Sequence, residues 1–198
     1  MRPILPLRVL SVLGDSLKRA SIRIVIAFFG ALFALVGVLQ PASAEPAAAL
    51  PGNAAPVKMD MAASAATWLM NLNSGKCALS QGGADGQPVV QYQCLNYNDQ
   101  RWSLVDKGSS RFQLRNANSG KCLLVRGTGN EAPAVQFQCL NYVDQYWEFY
   151  NYPGYPGWYW LQNVNSRKCL IVRGGSDGTQ LVQFDCAQYI DQAWGRVI

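Results

Sequence analysis

One stretch is written three times in this chain. It reads NLNSGKCALSQGGADGQPVVQYQCLNYNDQRW from Asn71 to Trp102, NANSGKCLLVRGTGNEAPAVQFQCLNYVDQYW from Asn116 to Trp147, and NVNSRKCLIVRGGSDGTQLVQFDCAQYIDQAW from Asn163 to Trp194. In each copy an Asn stands six positions before a Cys, a second Cys follows seventeen later, and the copy closes on Tyr-x-Asp-Gln-x-Trp with no internal gap. Self-similarity at a period of about 45 residues means one supersecondary unit repeated, each copy too small to bury its own apolar face. Three such units must share a core. The punctuation inside a copy is that of short strands and turns: Asn-Ser-Gly before a Lys-Cys-Leu run, a Gly-rich bend, then a Val-Gln-aromatic run, with no helical period long enough to compete.

Equivalent apolar positions recur in all three copies. These are Leu69, Leu114 and Leu161, then Leu79, Leu124 and Ile171, then Val90, Val135 and Val182, and finally Trp102, Trp147 and Trp194. They are the expected shared core, since burying one large apolar side chain contributes about 1.5–3 kcal/mol.

The endings Gln100-Arg101-Trp102, Gln145-Tyr146-Trp147 and Gln192-Ala193-Trp194 each lie downstream of a Ser-x-Lys-Cys and a second Cys. In this the chain resembles the Gln-x-Trp repeats of ricin B-type lectin domains, over Thr67 to Ile198. The resemblance implies an all-β fold, a β-trefoil of three lobes at about 67–105, 111–149 and 158–198. It also implies that Gln100, Gln145 and Gln192 hold turn backbone through their amides.

The N-terminal region has a different character. Arg2, Arg8, Lys18, Arg19 and Arg23 precede an apolar run from Ile24 to Leu39, and Ala42-Ser43-Ala44 has the Ala-x-Ala pattern of a cleavage site. Residues 1–44 are expected to be a secretory signal peptide, since the run is short for a span of about 20 residues; the long basic region also admits an uncleaved anchor, and N-terminal sequencing of the exported protein separates the two. Residues 45–66, rich in Ala and Pro, are expected to form a disordered linker. The formal net charge of +5 owes five of 17 basic residues and one of 12 acids to the first 44 positions, leaving a nearly neutral chain. Such a chain, without a basic run, gives no support for binding nucleic acid or an anionic membrane. After cleavage it would be secreted, with no membrane attachment.

All six cysteines lie at the same two places in each repeat. Six cysteines admit about 15 pairings, but threefold equivalence together with an export signal favours Cys77–Cys94, Cys122–Cys139 and Cys169–Cys186. Metal binding is disfavoured by the spacing and by the lack of any Cys-x-x-Cys. The chain has no histidine, so no Ser-His-Asp or Cys-His nucleophile system can be built from it. A glycosidase needs two carboxylates about 5–10 Å apart, and threefold symmetry would hold Asp99, Asp144 and Asp191 far from one another. Asp185 and Asp191 are close in sequence, but nothing in the sequence favours their cooperation. No enzyme, cofactor or metal is expected.

In ricin-type lectins each functional lobe is understood to use an Asp two residues after the first Cys, an aromatic platform two before the second, and an Asn or Asp just before Gln-x-Trp. This chain keeps the platform as Tyr92, Phe137 and Phe184 and the last position as Asp99, Asp144 and Asp191. It departs at the first, where Leu79, Leu124 and Ile171 stand, and Val90, Val135 and Val182 replace a Gln often found four before the second Cys. A carboxylate there would have supplied strong charge-assisted hydrogen bonds, so the family's usual galactose site is altered in every lobe. Arg126 and Arg173 follow a Val at equivalent positions, with Gln81 in lobe one, and Tyr97, Tyr142 and Tyr189 stand two before each Asp. Arg plus ring would favour acidic or phosphorylated glycans; as surface charges the arginines need have no such role.

The expected function is a non-catalytic carbohydrate-binding module, weak per site and multivalent, whose partner is a glycan or polysaccharide. The alternative is a protein-interaction trefoil, inhibitor-like or receptor-binding, acting through loop 150–160, where Tyr152, Tyr155 and Trp158 are set among Pro-Gly pairs. That loop could equally fold back as a lid on its own lobe.

Overall fold

The computed structural model describes Leu50, residues 54–59 and residues 65–198. The signal-peptide assignment to residues 1–44 lies outside the described residues, as does much of the linker. No helix among the described residues is long and apolar enough to cross a membrane.

Lobe one contributes β1 (Thr67–Asn71), β2 (Cys77–Ser80), β3 (Val89–Tyr92) and β4 (Arg101–Asp106). Lobe two repeats them as β5 (Arg111–Asn116), β6 (Cys122–Val125), β7 (Ala134–Phe137) and β8 (Trp147–Asn151), and lobe three as β9 (Trp158–Asn163), β10 (Cys169–Val172), β11 (Leu181–Phe184) and β12 (Trp194–Val197). Every pairing is antiparallel. The first and last strands of each lobe form a closed ring, β1 to β4 to β5 to β8 to β9 to β12 and back to β1, where Trp68 faces Val197 and Asn71 faces Trp194. The middle strands form three hairpins, β2–β3, β6–β7 and β10–β11. This is a six-stranded barrel with a hairpin triplet, a β-trefoil, and closure removes the exposed sheet edges that would otherwise invite aggregation.

The hairpins join around the pseudo-threefold axis by a repeated exchange of bonds. Gln136 N–H donates to Gln87 O and Gly86 N–H to Gln136 O; Gln183 N–H donates to Ala132 O and Glu131 N–H to Gln183 O; Gln91 N–H donates to Thr179 O and Gly178 N–H to Gln91 O. The side chains of Gln91, Gln136 and Gln183 also donate to two carbonyls each in the neighbouring lobe, at 2.8–3.2 Å. Gln136 and Gln183 also accept from Ser119 and Ser166 Oγ, as a fully buried amide requires, whereas Gln91 Oε1 has no such donor.

The core matches the expectation in part. Leu69, Leu114 and Leu161 and the three tryptophans are buried together, with each Trp no more than 1% exposed. From the hairpins, however, the core takes Ala78, Leu123 and Leu170 with Val89, Ala134 and Leu181. Leu79, Leu124 and Ile171 are buried but lie outside that cluster, and Val90, Val135 and Val182 are half-buried. The reason is strand parity. Leu79 pairs with Val90 and Cys77 with Tyr92, so these residues share the hairpin face opposite to Ala78 and Val89. Because all of β2, β6 and β10 is buried, apolar character alone does not tell the two faces apart.

The three disulfides are Cys77–Cys94, Cys122–Cys139 and Cys169–Cys186, each with Cα atoms 5.0 Å apart. Each closes a loop that in the chain-entropy model stabilises by about 3 kcal/mol. Part of the segment expected to be a free tether touches the barrel: Val57 N–H donates to Phe149 O at 2.7 Å, and Met59 packs against the core.

Loop 150–160 folds onto its own lobe. Tyr152 N–H bonds Trp158 O, and two turns follow, Tyr155 N–H to Tyr152 O and Trp158 N–H to Tyr155 O. Gly154 and Gly157 take φ of 80° and 83° after Pro153 and Pro156, the proline-then-positive-φ order of type II turns. Tyr152 is buried in a cluster with Tyr150, Trp160, Cys169, Cys186 and Ala193, and Trp158 is half-buried. Of the three rings singled out in the sequence, only Tyr155 is exposed, at 43%.

Candidate functional site

Each lobe places a single-turn 3-10 helix just before its last strand, Asn98–Gln100, Val143–Gln145 and Ile190–Gln192. The Gln of each turn is a staple. Gln100 accepts from Leu95 N–H at 2.6 Å and donates to Gln93 O at 2.7 Å. Gln145 does the same with Leu140 and Gln138, and Gln192 with Ala187 and Asp185. The Trp two residues on donates from Nε1 to Ala78, Leu123 or Leu170 O at 2.9–3.0 Å, tying the turn to the hairpin.

The Asp between Tyr-x and Gln does not staple the turn in this way. Its main-chain carbonyl accepts a bond from the next lobe: Asn116 Nδ2 donates to Asp99 O, Asn163 to Asp144 O and Asn71 to Asp191 O, all at 2.8 Å. Its carboxylate Oδ1 is buried without any protein hydrogen bond in all three lobes, at Asp99, Asp144 and Asp191. Buried polar atoms are normally paired; Ser80 Oγ, Gln91 Oε1 and Gln162 Oε1 are unpaired as well, but only the Asp recurs in all three lobes. Burial pushes the Asp191 carboxyl above the ordinary aspartate range, against the pull of the Arg173 charge and of a hydrogen bond from its own main-chain N–H.

Lobe three gathers Arg173, Tyr189 and Asp191, but not the platform Phe184, around an open hollow of about 410 Å³ that Asn73, Gln188 and Ile190 also line. Tyr189, like Tyr97 and Tyr142, is more than half exposed. Asn73 comes from lobe one. The thrice-written Asn-x-Asn-Ser was the signal that could have found it, since its first Asn caps the turn through Oδ1 and its second faces outward: Asn73 and Ser74 N–H both donate to Asn71 Oδ1.

The platform rings stand opposite the first Cys of each hairpin, Tyr92 facing Cys77, Phe137 facing Cys122 and Phe184 facing Cys169. They are not equivalent. Arg126 lies over Phe137 and Arg173 over Phe184, each guanidinium carbon 4.4 Å from the ring centre, whereas Tyr92 is 36% exposed and has Gln81 in the corresponding place. In lobes two and three one face of the ring is therefore occupied by a cation, and Phe184 does not line the lobe-three hollow. The ring at its rim is Tyr189.

Charge also fastens the lobes to one another. Lys76 reaches Asp177 at 2.6 Å and Lys121 reaches Asp85 at 2.5 Å, and each of those aspartates accepts a main-chain N–H from the neighbouring lobe, of Gln93 and Gln138 respectively. These contacts hold Asp177 and Asp85 below the ordinary carboxylate range, the lysine hydrogen bond foremost. The third contact has its groups exchanged: Asn130 stands where the other lobes have Asp, and Asp185, bound by Asn130 and Lys168, supplies the carboxylate instead. Asp185 is thus committed to this fastening rather than paired with Asp191.

Residues 65–194 match the family of the ricin-type β-trefoil lectin domain. The chain belongs to that family. Among solved structures it is similar to ThreeFoil, a designed 3-fold symmetric protein, with 29% identity and a TM-score of 0.65 over 67% of this chain and 98% of the other. An exo-β-1,3-galactanase of Clostridium thermocellum matches at 25% identity and TM-score 0.65, over 68% of this chain but 30% of the enzyme. A Macrolepiota procera ricin B-like lectin solved in complex with lactose matches at 17% identity and TM-score 0.60, over 70% and 99% of the two chains, a likeness of fold. No curated protein matches the chain.

Proposed function

We propose that this ricin-type trefoil is a secreted, non-catalytic carbohydrate-binding protein that holds a polymeric glycan weakly at up to three lobes. The observation that carries this is a half-buried Asp beside an exposed Tyr in every lobe, Asp99 with Tyr97, Asp144 with Tyr142 and Asp191 with Tyr189, the last pair lining an open hollow. A sugar hydroxyl would donate to the accessible part of the carboxylate, and an ionised acceptor makes that bond roughly twice as strong as a neutral one. Tyr97, Tyr142 and Tyr189 are the exposed rings on which a pyranose face would stack. The missing carboxylate at Leu79, Leu124 and Ile171 leaves each lobe with fewer polar contacts than the family's usual site, so affinity would come from linkage of several lobes on one polymer. A family lectin solved with lactose and a galactanase of similar fold make galactosides and galactans the first ligands to try.

Affinity electrophoresis of the mature chain through a panel of neutral polysaccharides tests it. Retention of the wild type by at least one galactan or other glycan, lost in the triple variant Asp99→Ala, Asp144→Ala, Asp191→Ala without a fall in melting temperature, is the expected result. Equal mobility of both proteins in every gel would remove the proposal.

A second site class has one observation in its favour. Residues Asn151–Gly157 enclose an open hollow of about 540 Å³ with Tyr155 exposed beside it, a surface for a protein partner. Tyr155→Ala, which spares the buried Tyr152, would weaken such a partner and leave glycan retention intact.

A further inference from the structure

Lobes two and three carry the same Arg-over-Phe pair at the same 4.4 Å, yet their arginines have different company. In lobe three, Glu131 of lobe two reaches across, and its Oε1 lies 3.0 Å from Arg173 Nε and 2.9 Å from Nη2. The position that would do the same for Arg126 is Gly86. Gly86 N–H bonds Gln136 O as Glu131 N–H bonds Gln183 O, so the two residues occupy equivalent places one lobe apart. Glycine has no side chain to offer, and among the described residues no carboxylate lies within ion-pair distance of Arg126. Asp85, the acid whose charge it feels, is taken by Lys121 and by Gln138 N–H.

Stacking leaves Arg126 ready for a ligand. A guanidinium over a ring face spends no N–H donor on that contact, and its planar fork matches a carboxylate or sulfate in bidentate fashion. Lobe two also keeps Asp144 with its unpartnered Oδ1. Arg126 and Asp144 hold in lobe two the places that Arg173 and Asp191 hold around the lobe-three hollow, so a ligand there would carry an anion and a hydroxyl donor, as an acidic sugar does. Glu131 adopts φ of 62°, where Gly86 and Gly178 stand at 80°, so a strained non-glycine residue is kept at the one place where it neutralises Arg173.

We propose that lobe two alone selects an anionic sugar, with Arg126 as the specificity-determining residue, and that Glu131 closes the same position in lobe three; this rests on the glycan-binding function above. The shared chemistry is a carboxylate or sulfate ester on a pyranose.

Isothermal titration of the mature chain with trigalacturonate, its methyl ester and a sulfated galactan oligomer tests this, beside the neutral glycan retained in electrophoresis. The wild type should bind one acidic probe per chain at least tenfold tighter than the methyl ester, with salt weakening only the acidic ligand. Trigalacturonate or the sulfated oligomer winning identifies the acid group. Gly86→Glu, where an added Cβ meets nothing within 4 Å, should abolish that preference, and Glu131→Gly should raise the count to two. Arg126→Gln, which copies Gln81, repeats the loss without touching a positive-φ residue. Neutral binding should survive in all three variants. Neutral binding with no preference for either acid, or a preference unmoved by Arg126→Gln, overturns this inference alone; absence of all binding overturns it together with the function it rests on.

Discussion

Asp144 and Gln145 are adjacent, both are written in all three lobes, and they belong to opposite regions of the molecule. The inner region, Gln and Trp, is satisfied: Gln145 makes two short main-chain bonds and Trp147 one, each buried. The outer region, Asp with its rim Tyr, leaves an acceptor without a donor. Repetition thus has two causes here. One keeps the lobe folded, and the other, on the reading proposed above, serves a ligand.

The contrast yields a graded set of predictions. Trp147→Ala strikes the inner region hardest, losing a fully buried ring and the Leu123 tie, and should cost about 3–5 kcal/mol in chemical denaturation. Gln145→Ala should come next, because Leu140 N–H and Gln138 O lose their partner, at about 1–3 kcal/mol for each buried group left unsatisfied. Asp144→Ala should change stability by no more than about 0.5 kcal/mol, while removing lobe two from glycan binding. A loss comparable to that of Gln145→Ala would mean the Asp is structural after all.

Two titrations sharpen the same contrast. Glu148 is buried at the seam of lobes two and three, which disfavours its charge, but hydrogen bonds from Arg167 and Tyr150 and the Arg167 charge prevail and hold its pKa below the ordinary glutamate value. Its contribution is present above the unfolded-state pKa and lost as pH falls through the lower folded one. Melting temperatures of wild type and Glu148→Gln should therefore converge only in strong acid. Asp191 has the reverse sign: burial raises its folded pKa, so ionisation costs stability as pH rises from the ordinary aspartate value through the raised one. Asp191→Asn should melt higher than wild type at neutral pH and lose that advantage in acid. The effect is expected to be the smallest of the set.

The trefoil, the disulfide pairs and the Gln-x-Trp staple were legible because each depends on equivalence between copies, which a repeat displays directly. The hairpin faces were not. Leu79, Leu124 and Ile171 are as apolar as the residues beside them, so only the register with Val90, Val135 and Val182 reveals that they lie away from the central core. Contacts between copies were hidden for a related reason. The Glu131–Arg173 pair and the exchanged Asn130–Asp185 fastening join positions that differ from lobe to lobe, and alignment of the repeats treats such differences as noise. Tyr152 was misleading as a display residue, since a Pro-Gly loop says where the chain turns and not which ring is folded under it.

The most direct test is a backbone amide NMR titration of the mature chain with the neutral oligosaccharide that corresponds to the best-retained polysaccharide. Shifts centred on Asp99, Asp144 and Asp191 and their neighbouring tyrosines are predicted, with residues 151–157 unmoved. Shifts confined to 151–157, with the three aspartates silent, would contradict the account.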